Sequence, residues 1–145
     1  MYNNIEILFV EDSTDDAVLT IRALKKSGFT HKLHHVMDGA LAPDFIYCRG
    51  IYADRDKKDY PKLILLDVKM PKVSGIQVLE TLKSDPALSS IPVVMLTSSN
   101  EGPDIEKCFA LGANSYIVKP VDSDNFFQAI KEIGLYWMVL NQASH

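Results

Sequence analysis

Cysteine is scarce in this chain, and its scarcity argues against two classes of protein. The 145 residues include only Cys48 and Cys108, with no C-x-x-C pair and no metal-ligand spacing. Neither a disulfide-rich secreted domain nor a zinc ribbon is therefore predicted. Both cysteines fall in candidate helices, where free cysteines commonly pack as small hydrophobic side chains. We expect no disulfide.

The chain also lacks a long hydrophobic run and an excess of basic residues. Its longest strongly apolar stretch near either end, residues 133–140, is far shorter than the ~20 residues that span a bilayer. We therefore predict no membrane association and a cytoplasmic location. The 15 Lys and Arg residues against 19 Asp and Glu residues argue against nucleic acid as a partner. The length predicts a single domain over residues 1–145, with no output domain.

Four apolar runs of the sequence end directly in residues that can carry chemistry. The runs cover residues 5–10, 63–66, 91–96 and 116–118, and the residues that follow them are Glu11 and Asp12, Asp67, Thr97, and Lys119. A carboxylate removed from water without partners is costly, so one such ending would indicate only a strand that reaches its loop. Four endings of the same kind indicate a shared site.

Helical patterns alternate with these apolar runs. Ser13 or Thr14 is predicted to cap a first helix, which Gly28 ends. The other predicted elements are a short strand over 32–36, helices over 38–50, 74–85, 102–112 and 122–140, and a long surface loop over 50–61. Strands made of continuous Ile, Leu and Val predict a doubly wound α/β fold, with a five-stranded parallel sheet covered by helices on both faces.

The carboxyl ends of parallel strands share one edge of a sheet, which is where such folds bind ligands. We therefore expect Glu11, Asp12, Asp67, Thr97 and Lys119 to face one crevice. Three carboxylates cannot all stay ionised there without a cation. The set offers only oxygen ligands and contains no His or Cys, which suits Mg²⁺. The ammonium and hydroxyl groups can bind phosphoryl oxygens, while Asp67, central among the strand ends, is the natural nucleophile.

The motifs ILFVEDS, LILLDVKMPKVSG, VVMLTSS and SYIVKP together resemble the receiver domain of two-component response regulators. The resemblance covers essentially the whole chain, in the order that the family shows. It implies a flavodoxin-like (βα)5 fold with strand order 2-1-3-4-5. It also implies a signalling protein rather than an enzyme, which takes a phosphoryl group from the phosphohistidine of a sensor histidine kinase and later loses it.

The same resemblance assigns roles to individual residues. Asp67 is the implied phosphoacceptor, and Thr97 and Lys119 contact the phosphoryl group. The implied ligands of Mg²⁺, for which Mn²⁺ can substitute, are Glu11, Asp12, Asp67 and the backbone carbonyl of Lys69. Thr97 and Tyr116 form the implied switch, and the Lys119–Pro120 peptide bond is expected to be cis.

Two residues depart from the family's pattern, and a finer resemblance accompanies them. Relatives often carry Asn or other residues at the position of Lys69, and many carry Asp at that of Ser74. Both departures are expected to tune the lifetime of the phosphoryl group. The stretch VEDSTDDAVLTIRALKKSG, the long loop before Asp67 and the tail GLYWMVLN look like stand-alone receivers that partner phytochrome histidine kinases, which implies a phytochrome as the kinase.

Three other functions are weighed against this interpretation. A haloacid-dehalogenase-type phosphatase needs a second acid two residues after its nucleophile, where this chain has Lys69. A flavodoxin-like FMN carrier needs a phosphate loop after the first strand, but EDSTDDA is acidic and would repel phosphate. A receiver-shaped scaffold that is never phosphorylated would not need the intact acid set.

The predicted C-terminal helix carries more apolar residues than one contact face requires. Phe126, Tyr136 and Trp137 are therefore predicted to lie in a two-fold homodimer interface formed by the fourth helix, fifth strand and fifth helix. The alternative is a helix end that folds back onto its own domain.

Overall fold

Five parallel strands form one sheet in the computed structural model, which describes residues 6–27, 32–98 and 102–135. Their order across the sheet is β2-β1-β3-β4-β5. The strands are β1 (Ile7–Val10), β2 (Leu33–Val36), β3 (Leu63–Asp67), β4 (Val93–Thr97) and β5 (Ser115–Val118). The predicted doubly wound fold and its strand order 2-1-3-4-5 are confirmed.

A helix follows each strand, and side chains cap three of these helices. They are α1 (Thr14–Lys26), α2 (Leu41–Ile46), α3 (Gly75–Ser84), α4 (Gly102–Ala110) and α5 (Ser123–Glu132). Ser13 caps α1, while Ser74 and Asp122 form reciprocal capping boxes at the starts of α3 and α5. Each cap satisfies backbone N–H groups that have no partner inside the helix, and so fixes where the helix starts. Among the described helices, none is long and apolar enough to cross a membrane.

Two hydrophobic cores lie on opposite faces of the sheet. Alternate residues of β1 divide between them: Leu8 and Val10 belong to the core under α2 and α3, and Ile7 and Phe9 to the core under α1 and α5. All four side chains are fully buried. Because both faces are covered, the three central strands β1, β3 and β4 read as hydrophobic runs rather than as alternating ones.

The fifth helix differs from the sequence-based prediction. It ends at Glu132 and not at residue 140, and Gly134 has a left-handed φ of 80°. The expectation that Phe126 adds apolar surface is wrong, because Phe126 is 1% exposed and packs in the core with Ala129 and Ile130. The cap at Asp122 sets this helical register. Tyr136 and Trp137, also predicted at the dimer interface, lie outside the described residues.

The segment before β3 is more ordered than a plain surface loop. Gly50–Tyr52 form a turn of 3-10 helix, and the Arg55 side chain is buried. Its guanidinium lies over the Phe45 ring, 3.9 Å from the centroid, and donates hydrogen bonds to the carbonyls of Phe45 and Asp59. One buried arginine thus fastens this segment to α2. Cys48 follows α2 rather than lying within it, and Cys48 and Cys108 are free and buried, as predicted.

Candidate metal and phosphoryl site

Three carboxylates meet at the carboxyl edge of the sheet. Glu11 and Asp12 follow β1 and Asp67 ends β3, and one oxygen from each lies within 4.8 Å of the others. The register pairs Val10 with Leu66, so the two strands end at the same level. Glu11 and Asp67 are buried and Asp12 is partly exposed. The structure therefore brings together the three acids that the sequence analysis expected to meet.

The Lys119 ammonium lies among these acids. Its Nζ is 2.7 Å from Glu11 Oε1 and 3.3 Å from Asp67 Oδ2. It is also 3.0 Å from Oδ2 of Asp16, a residue of α1 that sequence reasoning did not assign to the site. The Lys119 backbone N–H donates to the Thr97 carbonyl at 2.7 Å, and the Lys119–Pro120 peptide bond is cis. The lysine is thus held through both its backbone and its side chain.

The pKa values of Asp67 and Lys119 reflect this crowding of charges. Burial raises the pKa of Asp67 to about 7, helped by a hydrogen bond with Glu11 and by the Glu11 charge, while Lys119 acts in the opposite direction. Burial alone would lower the pKa of Lys119. Hydrogen bonds to Glu11 and Asp16 and the charges of Asp67 and Glu11 outweigh that effect and raise it above its ordinary value. Added positive charge beside Asp67 would therefore favour its ionised form.

This electrostatic imbalance predicts a pH-dependent stability in metal-free protein. The pKa of Asp67 is raised in the folded state, so the folded protein binds more protons than the unfolded chain between about pH 4 and pH 7, and stability falls as the pH rises through that window. Replacing Asp67 by Asn removes one charge from a group that also contains Glu11, Asp12 and Lys119. We expect Asp67→Asn to raise the free energy of unfolding at about pH 8 by about 1–3 kcal/mol.

Urea unfolding followed by circular dichroism, with a chelator present, measures this difference. The gain of Asp67→Asn over the wild type should shrink as the pH falls toward about 5, because protonation then neutralises Asp67 in the wild type as well. A gain that is the same at both pH values would contradict an electrostatic origin.

Thr97 and Tyr116 lie on the neighbouring strands β4 and β5. Thr97 ends β4 and is buried, whereas Tyr116 on β5 is exposed, with its ring edge-on to Phe109 at 5.9 Å between centroids. A cavity of about 10 Å³ is lined by both residues and by Ile105 and Cys108. The structure thus places the two expected switch residues around one small space. Lys69 lies in the loop after β3 with its side chain exposed.

Gly75 is a site residue that sequence reasoning missed. A Cβ at Gly75 would overlap the carbonyl oxygen of Asp67 and lie 2.8 Å from its carbonyl carbon. The Gly75 N–H also donates to the Val68 carbonyl at 2.9 Å. The start of α3 therefore packs directly on the backbone that presents the Asp67 carboxylate. The sequence signal was the Ser-Gly pair at a helix start, which by itself indicates only the cap at Ser74.

We expect Gly75→Ala to destabilise the fold and to displace Asp67, because the added methyl group meets backbone atoms that cannot move independently. A loss of about 2–4 kcal/mol in the free energy of unfolding is expected. Gly102→Ala is the matched control, since a Cβ there meets nothing within 4 Å and alanine favours the helix. Urea unfolding of both variants is the measurement, and equal stabilities would contradict the close packing of Gly75 on Asp67.

A doubly wound sheet with clustered acids and a lysine at its carboxyl edge is the architecture of a signalling receiver. The family model described as "Response regulator receiver domain" matches residues 7–131. The chain belongs to this family, and not to the phosphatases or flavin carriers that were weighed against it. Membership of this family implies that a histidine kinase is a partner of the chain.

Several similar proteins are described as response regulators, and one of them is named for a bacteriophytochrome. Response regulator Rcp1 of Synechocystis is 36% identical over 132 residues, which cover 91% of this chain and 88% of Rcp1. The solved bacteriophytochrome response regulator RtBRR is 46% identical with a TM-score of 0.85, covering 93% of this chain and 81% of RtBRR. These relatives support membership of the receiver family along nearly the whole length of the chain.

Two further solved structures bear on the chemistry of the site. Rcp1 in its Mn²⁺-bound form has a TM-score of 0.74 at 36% identity, with 91% of this chain and 93% of that chain covered. The phosphorylated cyanobacterial phytochrome response regulator RcpA has a TM-score of 0.73 at 36% identity, with 94% of each chain covered. With the acid cluster of Glu11, Asp12 and Asp67, the Mn²⁺-bound relative indicates that this site binds a divalent metal.

Proposed function

We propose that this chain accepts a phosphoryl group on Asp67 from the phosphohistidine of a sensor histidine kinase, in a reaction that requires Mg²⁺. The observation that carries the proposal is the buried Asp67 carboxylate, which lies between two further acids and the Lys119 ammonium at the carboxyl edge of the sheet. The phosphorylated relative RcpA supports it. Autodephosphorylation would return the chain to its starting state.

The transfer itself needs few groups. One Oδ of Asp67 forms a bond to phosphorus while the bond between phosphorus and the donor's imidazole nitrogen breaks. The electron pair of the broken bond stays on the imidazole, which takes up a proton. Lys119 donates to a phosphoryl oxygen, and the Thr97 hydroxyl donates to another once the phosphoryl group is attached. These donors offset the negative charge that the phosphoryl group would bring to the carboxyl edge of the sheet.

The acids at this edge fit a magnesium ion. Glu11, Asp12 and Asp67 offer carboxylate oxygens from two strand ends, and the backbone carbonyl of Lys69 would add a neutral oxygen. A bound Mg²⁺ would supply positive charge that favours ionised Asp67 and neutralises phosphoryl oxygens. The raised pKa of Asp67 agrees with a site that lacks one positive charge until metal binds.

Intact mass measurement tests the proposal directly. The wild-type protein is incubated with acetyl phosphate and Mg²⁺, and separately with acetyl phosphate and a chelator. We expect the mass of one phosphoryl group to be added in the first sample only. An unchanged mass with Mg²⁺ would overturn the proposed function.

We further propose that the donor kinase is a phytochrome. RtBRR is described as a bacteriophytochrome response regulator and RcpA as a cyanobacterial phytochrome response regulator. They are 46% and 36% identical to this chain. Phosphotransfer from a phytochrome kinase that is phosphorylated in one light state tests the pairing. Transfer no faster than from an unrelated histidine kinase would reject it.

Phosphorylation is proposed to act on a surface formed by α4, β5 and α5. Thr97 would move toward the phosphoryl group, and Tyr116 would occupy the space that this movement opens at their shared cavity. Tyr116 and Phe109 together form an exposed aromatic pair on this surface. A change in Tyr116 would therefore alter the surface that a partner contacts.

The proposed occupant of this surface is a second copy of the chain. A groove of about 540 Å³ runs along it, lined by Phe109 and Tyr116 among others. Exposed Lys107 on α4 and exposed Glu132 on α5 carry opposite charges, so that a two-fold axis can pair them across the interface. The groove and these opposite charges favour self-association through this face.

We expect Phe109→Glu to weaken dimerisation at least about tenfold, because it would replace one ring of the exposed aromatic pair by a charge. Val18→Glu is the matched control, since Val18 is similarly exposed but lies on α1. Sedimentation velocity with and without beryllofluoride, a phosphoryl mimic, measures association. Wild-type protein that stays monomeric in both conditions would end the dimer proposal without affecting the role of Asp67.

A further inference from the structure

We propose that Asp16 is a positioning residue for phosphoryl transfer, which holds the Lys119 ammonium in place before and after Asp67 is modified. The inference rests on the proposed function. Asp16 lies in the first turn of α1, where an acid ordinarily serves only to offset the helix dipole. Its contact with Lys119 gives it a second role.

The Lys119 ammonium has three N–H donors and faces three carboxylates. Asp16 Oδ2 accepts a hydrogen bond from Lys119 Nζ at 3.0 Å, a distance between those to Glu11 and Asp67. The Lys119 side chain is only 13% exposed, so water offers little replacement for a lost partner. All three partners are therefore needed to satisfy this charge.

Of the three carboxylates that contact Lys119, Asp16 has a different role in the proposed reaction. Glu11 and Asp67 belong to the acid cluster that would bind the metal, and Asp67 would also carry the phosphoryl group. Asp16 is not a member of that cluster. It is thus the carboxylate that remains beside Lys119 when the other two engage metal and phosphoryl oxygens.

The local fold fixes Asp16 for this task. Its backbone N–H donates to the Ser13 hydroxyl at 3.2 Å, so the cap that starts α1 also sets the position of Asp16. A lysine side chain is long and flexible, and a carboxylate carried by the first turn of a capped helix reduces the number of orientations that it can adopt. An oriented ammonium is what stabilises charge at the transferring group.

Asp15 provides a matched control on the same helical turn. It is exposed, and within the described ranges no ion pair joins it to Lys119. Asp15→Asn and Asp16→Asn remove the same charge from the same end of α1, so any effect through the helix dipole should be alike in both. An effect specific to Asp16 therefore reports on its contact with Lys119.

The test measures the rate of phosphorylation by acetyl phosphate over a range of its concentrations, together with the Mg²⁺ dissociation constant. We expect Asp16→Ala to lower the maximal rate about 5–20-fold, with the KM for acetyl phosphate and the Mg²⁺ constant changed less than about twofold. Asp16→Asn should lose less, because its amide oxygen still accepts a hydrogen bond. Asp16→Glu should restore part of the rate, and Asp15→Asn should match the wild type.

The outcomes separate this inference from the function on which it rests. A wild-type protein that takes no phosphoryl group would reject the proposed function itself. A labelled wild type with an equal maximal rate for Asp16→Ala would reject only the positioning role. Equal losses of maximal rate in Asp15→Asn and Asp16→Asn would assign the effect to the helix dipole. That outcome would also reject the positioning role of Asp16.

Discussion

Asp67→Asn is expected to take up no phosphoryl group from acetyl phosphate or from a phosphohistidine donor. The substitution keeps the shape of the side chain, but an amide oxygen is not nucleophilic and cannot form the acyl phosphate. The fold should persist, because Asp67 ends β3 among fully buried neighbours and asparagine removes a charge from a crowded anionic site. The loss of labelling should therefore be complete and not the result of unfolding.

Intact mass spectrometry with Mg²⁺ and acetyl phosphate measures the label, and peptide mapping locates it. Asp54→Asn serves as the control, since Asp54 is an exposed acid in the segment before β3, and it should be labelled like the wild type. An acyl phosphate is stable in acid and labile in alkali. Label with those properties persisting on Asp67→Asn would place the phosphoacceptor elsewhere.

The sheet could be predicted from the sequence because burial on both faces produces a simple pattern. The central strands β1, β3 and β4 are apolar runs, and each run ends where the chain leaves the sheet. Since parallel strands present their carboxyl ends at one edge, the endings at Asp67 and Lys119 could be placed together without coordinates. The crevice thus followed from strand pattern and topology alone.

Asp16 and Gly75 could not be predicted in the same way, because each acts through a contact between separate elements. An aspartate in a first helical turn already has a common explanation in the helix dipole, which hides its contact with Lys119, 103 residues away. Gly75 looks like an ordinary residue after a helix cap, and only the distance to the Asp67 backbone shows why a side chain cannot fit there. Both contacts depend on how α1 and α3 pack on the sheet.

The misplaced Phe126 has a related cause. Adjacent Phe126 and Phe127 can each belong to an apolar stripe, and the sequence alone does not decide which one faces the sheet. The Asp122 cap settles the matter by fixing where α5 begins, which directs Phe126 inward with Ala129 and Ile130. Helix register is therefore set by a polar residue outside the apolar pattern.

Asp12 is the acid whose removal should weaken metal binding most without disturbing other contacts. Both oxygens of Glu11 have partners within the protein: Oε1 lies 2.7 Å from Lys119 Nζ, and Oε2 accepts from the Ser13 N–H at 3.3 Å. Asp12 is partly exposed and belongs to the same acid cluster. Its carboxylate is therefore better placed than that of Glu11 to ligate an incoming cation directly.

We accordingly expect Asp12→Ala to raise the Mg²⁺ dissociation constant at least about tenfold, because a hard cation loses one of few charged oxygen ligands. Asp12→Asn, which keeps a neutral oxygen, should fall between this variant and the wild type. Isothermal titration calorimetry with Mg²⁺ gives the constants, and Asp15→Asn controls for the general loss of negative charge near α1. If Asp12→Ala binds Mg²⁺ as tightly as the wild type, the cation lies elsewhere, whereas an equal loss in Asp15→Asn would assign the effect to long-range charge instead of ligation.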